Sequence, residues 1–265
     1  MGIEGLGIAT LVALGISQVA YLGAMATLGV RLAQLARRTR QAPEALLAAH
    51  FLLSCTLGYI LQGSGHALAI EPGVSRALVA TMLAIGHGAS VLGVGSVLVF
   101  NYRVFRRGTL LGRTLLAIGA AMLVVGYAGY AASGGFSDGR PAGFWFWLLY
   151  STFTAISVWT LAEPLLYYAA LRKRLRLGLA DPLVVDRLRL WGIGSVARFA
   201  MLAIAAFSMS RLTGDVSELA AIAAPTFLAS GVAGLVVAIC YGLAFFPPRA
   251  YRQAVLRRAL RFAGS

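Results

Sequence analysis

Glu163 and Arg198 carry the most chemical leverage in this chain, because each is the only formal charge in a long apolar run. Ionisable groups inside a membrane are costly unless paired or hydrated, so they mark clamps, couplings and ion pathways. Glu163 precedes Arg172 by nine residues, and Arg198 follows Arg189 by nine. On consecutive antiparallel helices this spacing sets both ~13 Å from one basic edge. An intramembrane ion pair between them is expected. Pro164 directly after Glu163 lacks an amide donor and should loosen that turn. The pair reads first as a structural clamp between two helices and second as a switch or ion-coupling site.

Two polar stripes accompany the pair. Ser151, Thr154, Ser157, Thr160 and Glu163 recur every third residue, and His50, Ser54, Gly58, Gln62 and His66 every fourth. Against 3.6 residues per turn both stripes wind slowly around a helix. Facing lipid would leave their polar groups unsatisfied, so both should face a protein interior. Hydroxyl-mediated packing explains them; so does the lining of a polar cavity. His87, between Gly86 and Gly88, is the histidine with most potential. Depth matching across the short connection from Glu71 to Arg76 sets Tyr59, or Gln62 one turn away, opposite it. The ligand-binding candidates are therefore His87, Tyr59, Gln62, Thr154 and Ser157.

Other chemistries fare worse. Bis-histidine haem needs two imidazoles at one depth on facing helices. Counting residues puts His50 and His66 each ~10 Å from the level of His87, on opposite sides. That weighs against haem, and equally against a metal, which needs three or four convergent ligands. Cys55 and Cys240 are the only cysteines, each in an apolar run, so no disulfide framework or thiolate metal site is available. No phosphate loop, nucleotide fingerprint or His-Glu-x-x-His motif occurs. No catalytic residue is nominated, and the balance is against an enzyme.

The elements that must position these residues follow from composition. Of 265 residues, 59% are hydrophobic and 12% charged, with mean hydropathy +0.80 and net charge +14. A soluble domain carries roughly twice that charged fraction. The expected fold is all-α, a polytopic seven-transmembrane helix bundle over residues 1–248. Its spans are about 5–30, 45–70, 77–102, 114–137, 143–171, 190–210 and 219–246. Each can cross a hydrocarbon core of ~30 Å as a helix, and none alternates as a barrel strand does. The first span reads as a retained helix rather than a signal peptide, since Glu4 is its only early charge.

Charge sets the orientation. The first connection carries Arg31, Arg37, Arg38 and Arg40, and the third carries Arg103, Arg106, Arg107 and Arg113. The fifth carries Arg172, Lys173, Arg174, Arg176, Arg187 and Arg189, and the tail Arg249, Arg252, Arg257, Arg258 and Arg261. The opposite side has only Arg76, Arg140 and Arg211. By the positive-inside rule the N-terminus is outside and the C-terminus cytoplasmic, in a bacterial inner membrane. The basic excess thus faces a membrane rather than nucleic acid. After Pro247-Pro248, residues 249–265 form a basic tail. Its apolar residues Tyr251, Val255, Leu256, Ala259 and Leu260 share a face, as in a short amphipathic helix lying on anionic lipids.

Seven helices, an outside N-terminus and a surface helix after the seventh resemble the architecture of rhodopsins and G-protein-coupled receptors. The resemblance is topological. Retinal proteins of that class hold their chromophore through a lysine in the last helix. Here the only lysine is Lys173, in a cytoplasmic connection, so a retinal Schiff base is excluded. Asn101-Tyr102-Arg103 is similar to the receptors' acidic-Arg-Tyr motif in composition but not in order or charge. The stretch Leu177-Gly178-Leu179-Ala180-Asp181-Pro182 through Arg187 to Trp191-Gly192, with Phe245-Phe246-Pro247-Pro248, resembles uncharacterised bacterial seven-helix membrane proteins. It implies no activity.

The function these residues lead to is a receptor-like membrane protein that binds a small apolar or amphipathic molecule. Signalling would pass to a separate cytoplasmic partner. The alternatives are a proton- or ion-coupled transporter using Glu163, and an accessory or haem/redox subunit of a membrane complex.

Overall fold

A computed structural model describes residues 8–69, 71–138, 143–211 and 216–263. Glu4, Arg140 and the first residues of the first span lie outside the described residues, as do the side chains of Arg211 and Arg261. Every regular element among the described residues is helical: α1 (Ile8–Thr39), α2 (Ala42–Ala49), a π-helical segment (His50–Gly58), α3 (Tyr59–Ala69), α4 (Arg76–Phe105) and α5 (Leu110–Ala132). There follow α6 (Gly135–Asp138), α7 (Phe144–Arg176), α8 (Pro182–Arg211), α9 (Val216–Phe245) and α10 (Arg249–Ala263). Among the described residues, seven helices are long and apolar enough to cross a membrane, the second being the continuous run Ala42–Ala69. Length and composition are therefore consistent with a multi-pass membrane protein.

The chain divides into two compact units, one of residues 25–159 and one of residues 1–24 with 160–265. In the first, α2, the π segment and α3 run antiparallel to α4. Little hydrophobic drive separates protein from lipid tails, so helices associate in a membrane through close van der Waals packing at small residues. The seam obeys this. A β-carbon on Gly93 would lie 2.6 Å from Ser54, one on Gly65 2.8 Å from Leu83, and one on Gly86 3.0 Å from the Gln62 backbone. Gly119 meets Leu98 similarly, holding α5 against α4.

In the second unit α8 packs along α9, with Ser195 Oγ and Tyr241 OH hydrogen-bonded at 3.0 Å. Leu190, Cys240 and Ala244 form a buried core there, covered by Leu243, Phe245 and Tyr251. The turn entering α8 gives the Leu177–Pro182 stretch a physical meaning. Gly178, at φ 70°, donates to the Leu175 carbonyl at 3.0 Å, and Leu179 reaches Arg174 at 2.9 Å. This is a Schellman stop, which needs the left-handed conformation that glycine adopts without strain. Asp181 Oδ1 then accepts from the Leu183 amide at 2.8 Å, with Pro182 at the first helical position. Helix α8 accordingly starts eight residues before the expected apolar span.

Candidate functional site

The polar stripe of the second span faces α4, and the π segment is what orients its first half. In a π-helix the partner carbonyl is five residues back rather than four. Thr56 Oγ1 bonds the Phe51 carbonyl at 2.9 Å, and Cys55 Sγ lies 3.5 Å from His50 Nε2, both five residues apart. His50 is 2% exposed and its Nδ1 is 2.9 Å from the Gly93 carbonyl. A carbonyl only accepts, so Nδ1 donates, and in the neutral ring Nε2 takes the weak thiol donor of Cys55. Further along, Gln62 Nε2 donates to the Gly86 carbonyl at 3.1 Å and to Ser90 Oγ at 2.7 Å. Ser54, Gly58 and Gln62 thus interlock with Gly93, Ser90 and Gly86 down one seam.

His87 lies at the Gln62 end of that seam. It is 3% exposed, and its Nδ1 donates to the Leu83 carbonyl at 2.9 Å. Nε2 is then the polar atom the ring presents to its surroundings. Those are aromatic: Tyr130 and Phe136 each have ring centroids 5.6 Å away, and they meet each other edge to face at 4.9 Å. Tyr127 extends the cluster, 5.5 Å from Phe136, and its hydroxyl donates to the Ala84 carbonyl at 3.1 Å. Phe136 comes from α6, a four-residue helix after Gly134 that sequence reading passed over.

His66 requires a correction. Counting along the helices separated it from His87 by ~10 Å, yet the ring centroids are 6.3 Å apart in an edge-on contact. Side chains lean toward the N-terminus of their own helix. On antiparallel α3 and α4 that lean carries the two rings toward one another, a displacement that backbone counting omits. Among the described residues there is still no group of three or more His, Cys, Asp or Glu side chains arranged to hold a metal.

The other nominated residues divide. Gln62 is tied to the helix of His87 through the Gly86 carbonyl and Ser90. Tyr59 is 36% exposed. Ser157 is buried, but its hydroxyl donates at 2.8 Å to Phe153 O, and that of Thr154 at 2.9 Å to Tyr150 O. Both hydroxyl protons therefore serve their own helix. The α7 stripe does wind inward, from exposed Ser151 to Thr160 and Glu163, which are 4% and 3% exposed. In the second unit, α7 and α8 meet where Gly192 accommodates Leu165, two residues beyond Glu163.

A second polar cluster, absent from the sequence reading, ties α10 to α8. Tyr251 OH donates to Asp186 Oδ2 at 2.6 Å, and Arg189 bridges Oδ1 of the same carboxylate at 2.6 Å. Burial first, and the Asp186 carboxylate second, push the Tyr251 phenol above its ordinary pKa.

Comparison with protein-family models, curated proteins and solved structures gives no match. The site is accordingly argued from its own residues.

Proposed function

We propose that this chain is a receptor-like membrane protein that binds a small apolar or amphipathic ligand beside His87. The observation carrying the reading is the imidazole itself. Its Nδ1 is committed to Leu83, and Nε2 is presented among aromatic rings supplied by α3, α5 and α6. Such a cage suits a flat or hydrocarbon-rich molecule with one hydrogen-bond donor for Nε2, a few polar groups fixing an otherwise apolar pocket. Phe136, on its short helix, is the side of the cage that would yield to a ligand. Gln62, whose Nε2 is engaged by Gly86 and Ser90, would offer only its Oε1 as a second anchor, with Tyr59 as an outer contact. Thr154 and Ser157, their hydroxyl protons spent on their own helix, could only accept from a ligand.

Glu163 and Arg198 form the coupling element in this reading, as an ion pair between α7 and α8. Burial of Glu163, the adjoining Pro164 and the close approach at Gly192 support it. The N-terminus lies outside and the basic ends face the cytoplasm of a bacterial cell. There α10 rests on anionic lipid, and the arginine-rich connections meet a separate signalling partner.

Mass spectrometry of small molecules co-purified with the full chain tests the ligand. His87→Phe keeps a planar aromatic ring without its nitrogens and should lose the co-purified species, while Gln62→Leu should reduce it. Equal recovery from wild type and His87→Phe would refute the assignment. A proton- or ion-coupled carrier is the second reading, favoured by a 3%-exposed carboxylate beside a helix-interior proline. Proteoliposome flux abolished by Glu163→Gln would favour it over the receptor.

A further inference from the structure

A pocket of about 430 Å³ opens where α8, the end of α9 and the start of α10 converge. Its volume falls within the ~300–1,000 Å³ range of small-molecule sites. Leu183, Leu243, Phe246 and Pro247 supply apolar walls, and exposed Arg187 and Arg252 reach it from two different helices. One carboxylate, Asp186, also lines it, already engaged by Arg189 and by the Tyr251 hydroxyl at 2.6 Å each. The two guanidiniums therefore set the sign of the field at this concavity. We infer that the pocket holds one anionic phospholipid, its phosphate between Arg187 and Arg252 and the first carbons of an acyl chain on the apolar wall. Planar guanidiniums match phosphate oxygens with paired hydrogen bonds, which a diffuse basic face does not require. The apolar wall distinguishes a lipid from free phosphate. The choice of a lipid rests on the reading of α10 as a membrane-surface helix, whereas the convergence of charge and cavity does not.

The full chain in detergent micelles can be examined by native mass spectrometry with phosphatidylglycerol or phosphatidylcholine of the same acyl chains. Inorganic phosphate serves as competitor. Wild type should retain one phosphatidylglycerol in preference to phosphatidylcholine. Arg187→Gln with Arg252→Gln should weaken that retention by roughly tenfold or more. Arg257→Gln with Arg258→Gln removes equal charge from α10 outside the pocket and should leave retention within about twofold. All four positions are exposed, so folding is not at stake. Equal weakening by the two double variants overturns the pocket and leaves the surface-helix reading standing. Equal retention of both lipids by every protein overturns both. Displacement of the lipid by millimolar phosphate overturns the lipid as occupant.

Discussion

Gly93→Ala should be one of the most damaging single-methyl additions along the α2–α4 seam. The new β-carbon would lie 2.6 Å from both the backbone nitrogen and the β-carbon of Ser54, and 3.1 Å from its α-carbon. Two of these three atoms are backbone, so no rotamer change relieves the overlap. Ordinary contact begins at 3.4 Å, so the helices must part by about 0.8 Å. Parting them stretches the 2.9 Å bond from His50 to the Gly93 carbonyl and loosens the Gln62–Ser90 contact. Overpacking of this kind costs ~1–3 kcal/mol, and a weakened buried hydrogen bond a further ~1–2 kcal/mol. Against this, alanine gains ~1 kcal/mol of helix propensity over glycine. The net, about 1–4 kcal/mol, should lower Tm by roughly 3–12 °C.

Gly95→Ala is the control. It lies two residues along the same helix, and its added β-carbon meets only Leu123 Cδ1 at 3.9 Å. Propensity then acts alone, and Tm should stay level or rise by a few degrees, about 2–4 °C. Cys55, 4% exposed and inside the seam, provides the readout. In a Cys240→Ala background, a thiol-reactive fluorophore reports melting of this seam directly. A Gly93→Ala protein melting within about 2 °C of its parent refutes the close-approach argument.

Tyr251→Phe removes a 2.6 Å hydrogen bond to a carboxylate and should raise amide exchange across α10 about tenfold, for ~1.5 kcal/mol. Because the folded phenol is raised above its ordinary value, its contribution is complete at neutral pH and is lost as pH rises from about 10, the ordinary tyrosine value, through the higher pKa of the folded phenol; the variant should lack that alkaline loss. Gly178→Ala places a β-carbon at φ 70° and should cost ~1–2 kcal/mol, while Asp181→Ala removes the cap on Leu183 for ~1 kcal/mol, both read from Tm. For the proposed pair, Glu163→Ala should destabilise by ~3–5 kcal/mol, and adding Arg198→Met should recover much of it. Strict additivity of those two substitutions refutes the pair.

Most of the helical layout was legible because apolar runs longer than a bilayer leave little choice of element. The boundaries were legible only where charge marked them. Pro182–Arg189 is helical but carries Asp186, Arg187 and Arg189, so a search for uncharged stretches starts α8 too late. The inward face of the second span was also legible, since a stripe of His, Ser, Gly and Gln cannot comfortably meet lipid. Its π geometry was not: a spacing of four suits an α-helix as readily, and only the five-residue pairs His50–Cys55 and Phe51–Thr56 hint otherwise. Phe136 escaped notice because four residues of α6 have no periodicity to read. The Asp186–Tyr251 contact joins residues 65 apart, and nothing local predicts such a pairing.

The seam also narrows where ligand chemistry can occur. A polar side chain in an apolar helix has two uses: satisfying backbone nearby, or facing a partner from outside the fold. Thr152, Thr154, Ser157 and Ser208 take the first, each bonding the carbonyl four residues back. His50 and Gln62 take it across helices, toward Gly93 and Gly86. Counting polar residues in the spans therefore overstates how many can touch a ligand. In the proposed reading His87 would belong to both groups: Nδ1 holds Leu83, and Nε2 would take the ligand among the neighbouring rings of Tyr130 and Phe136. Removing the imidazole should consequently have two separable effects. His87→Asn can keep the amide donation to Leu83 while losing the ring, whereas His87→Phe keeps the ring and loses the donation. A purely structural histidine would tolerate one of these and leave co-purified molecules unchanged. A ligand anchor loses them in both, whichever variant melts first.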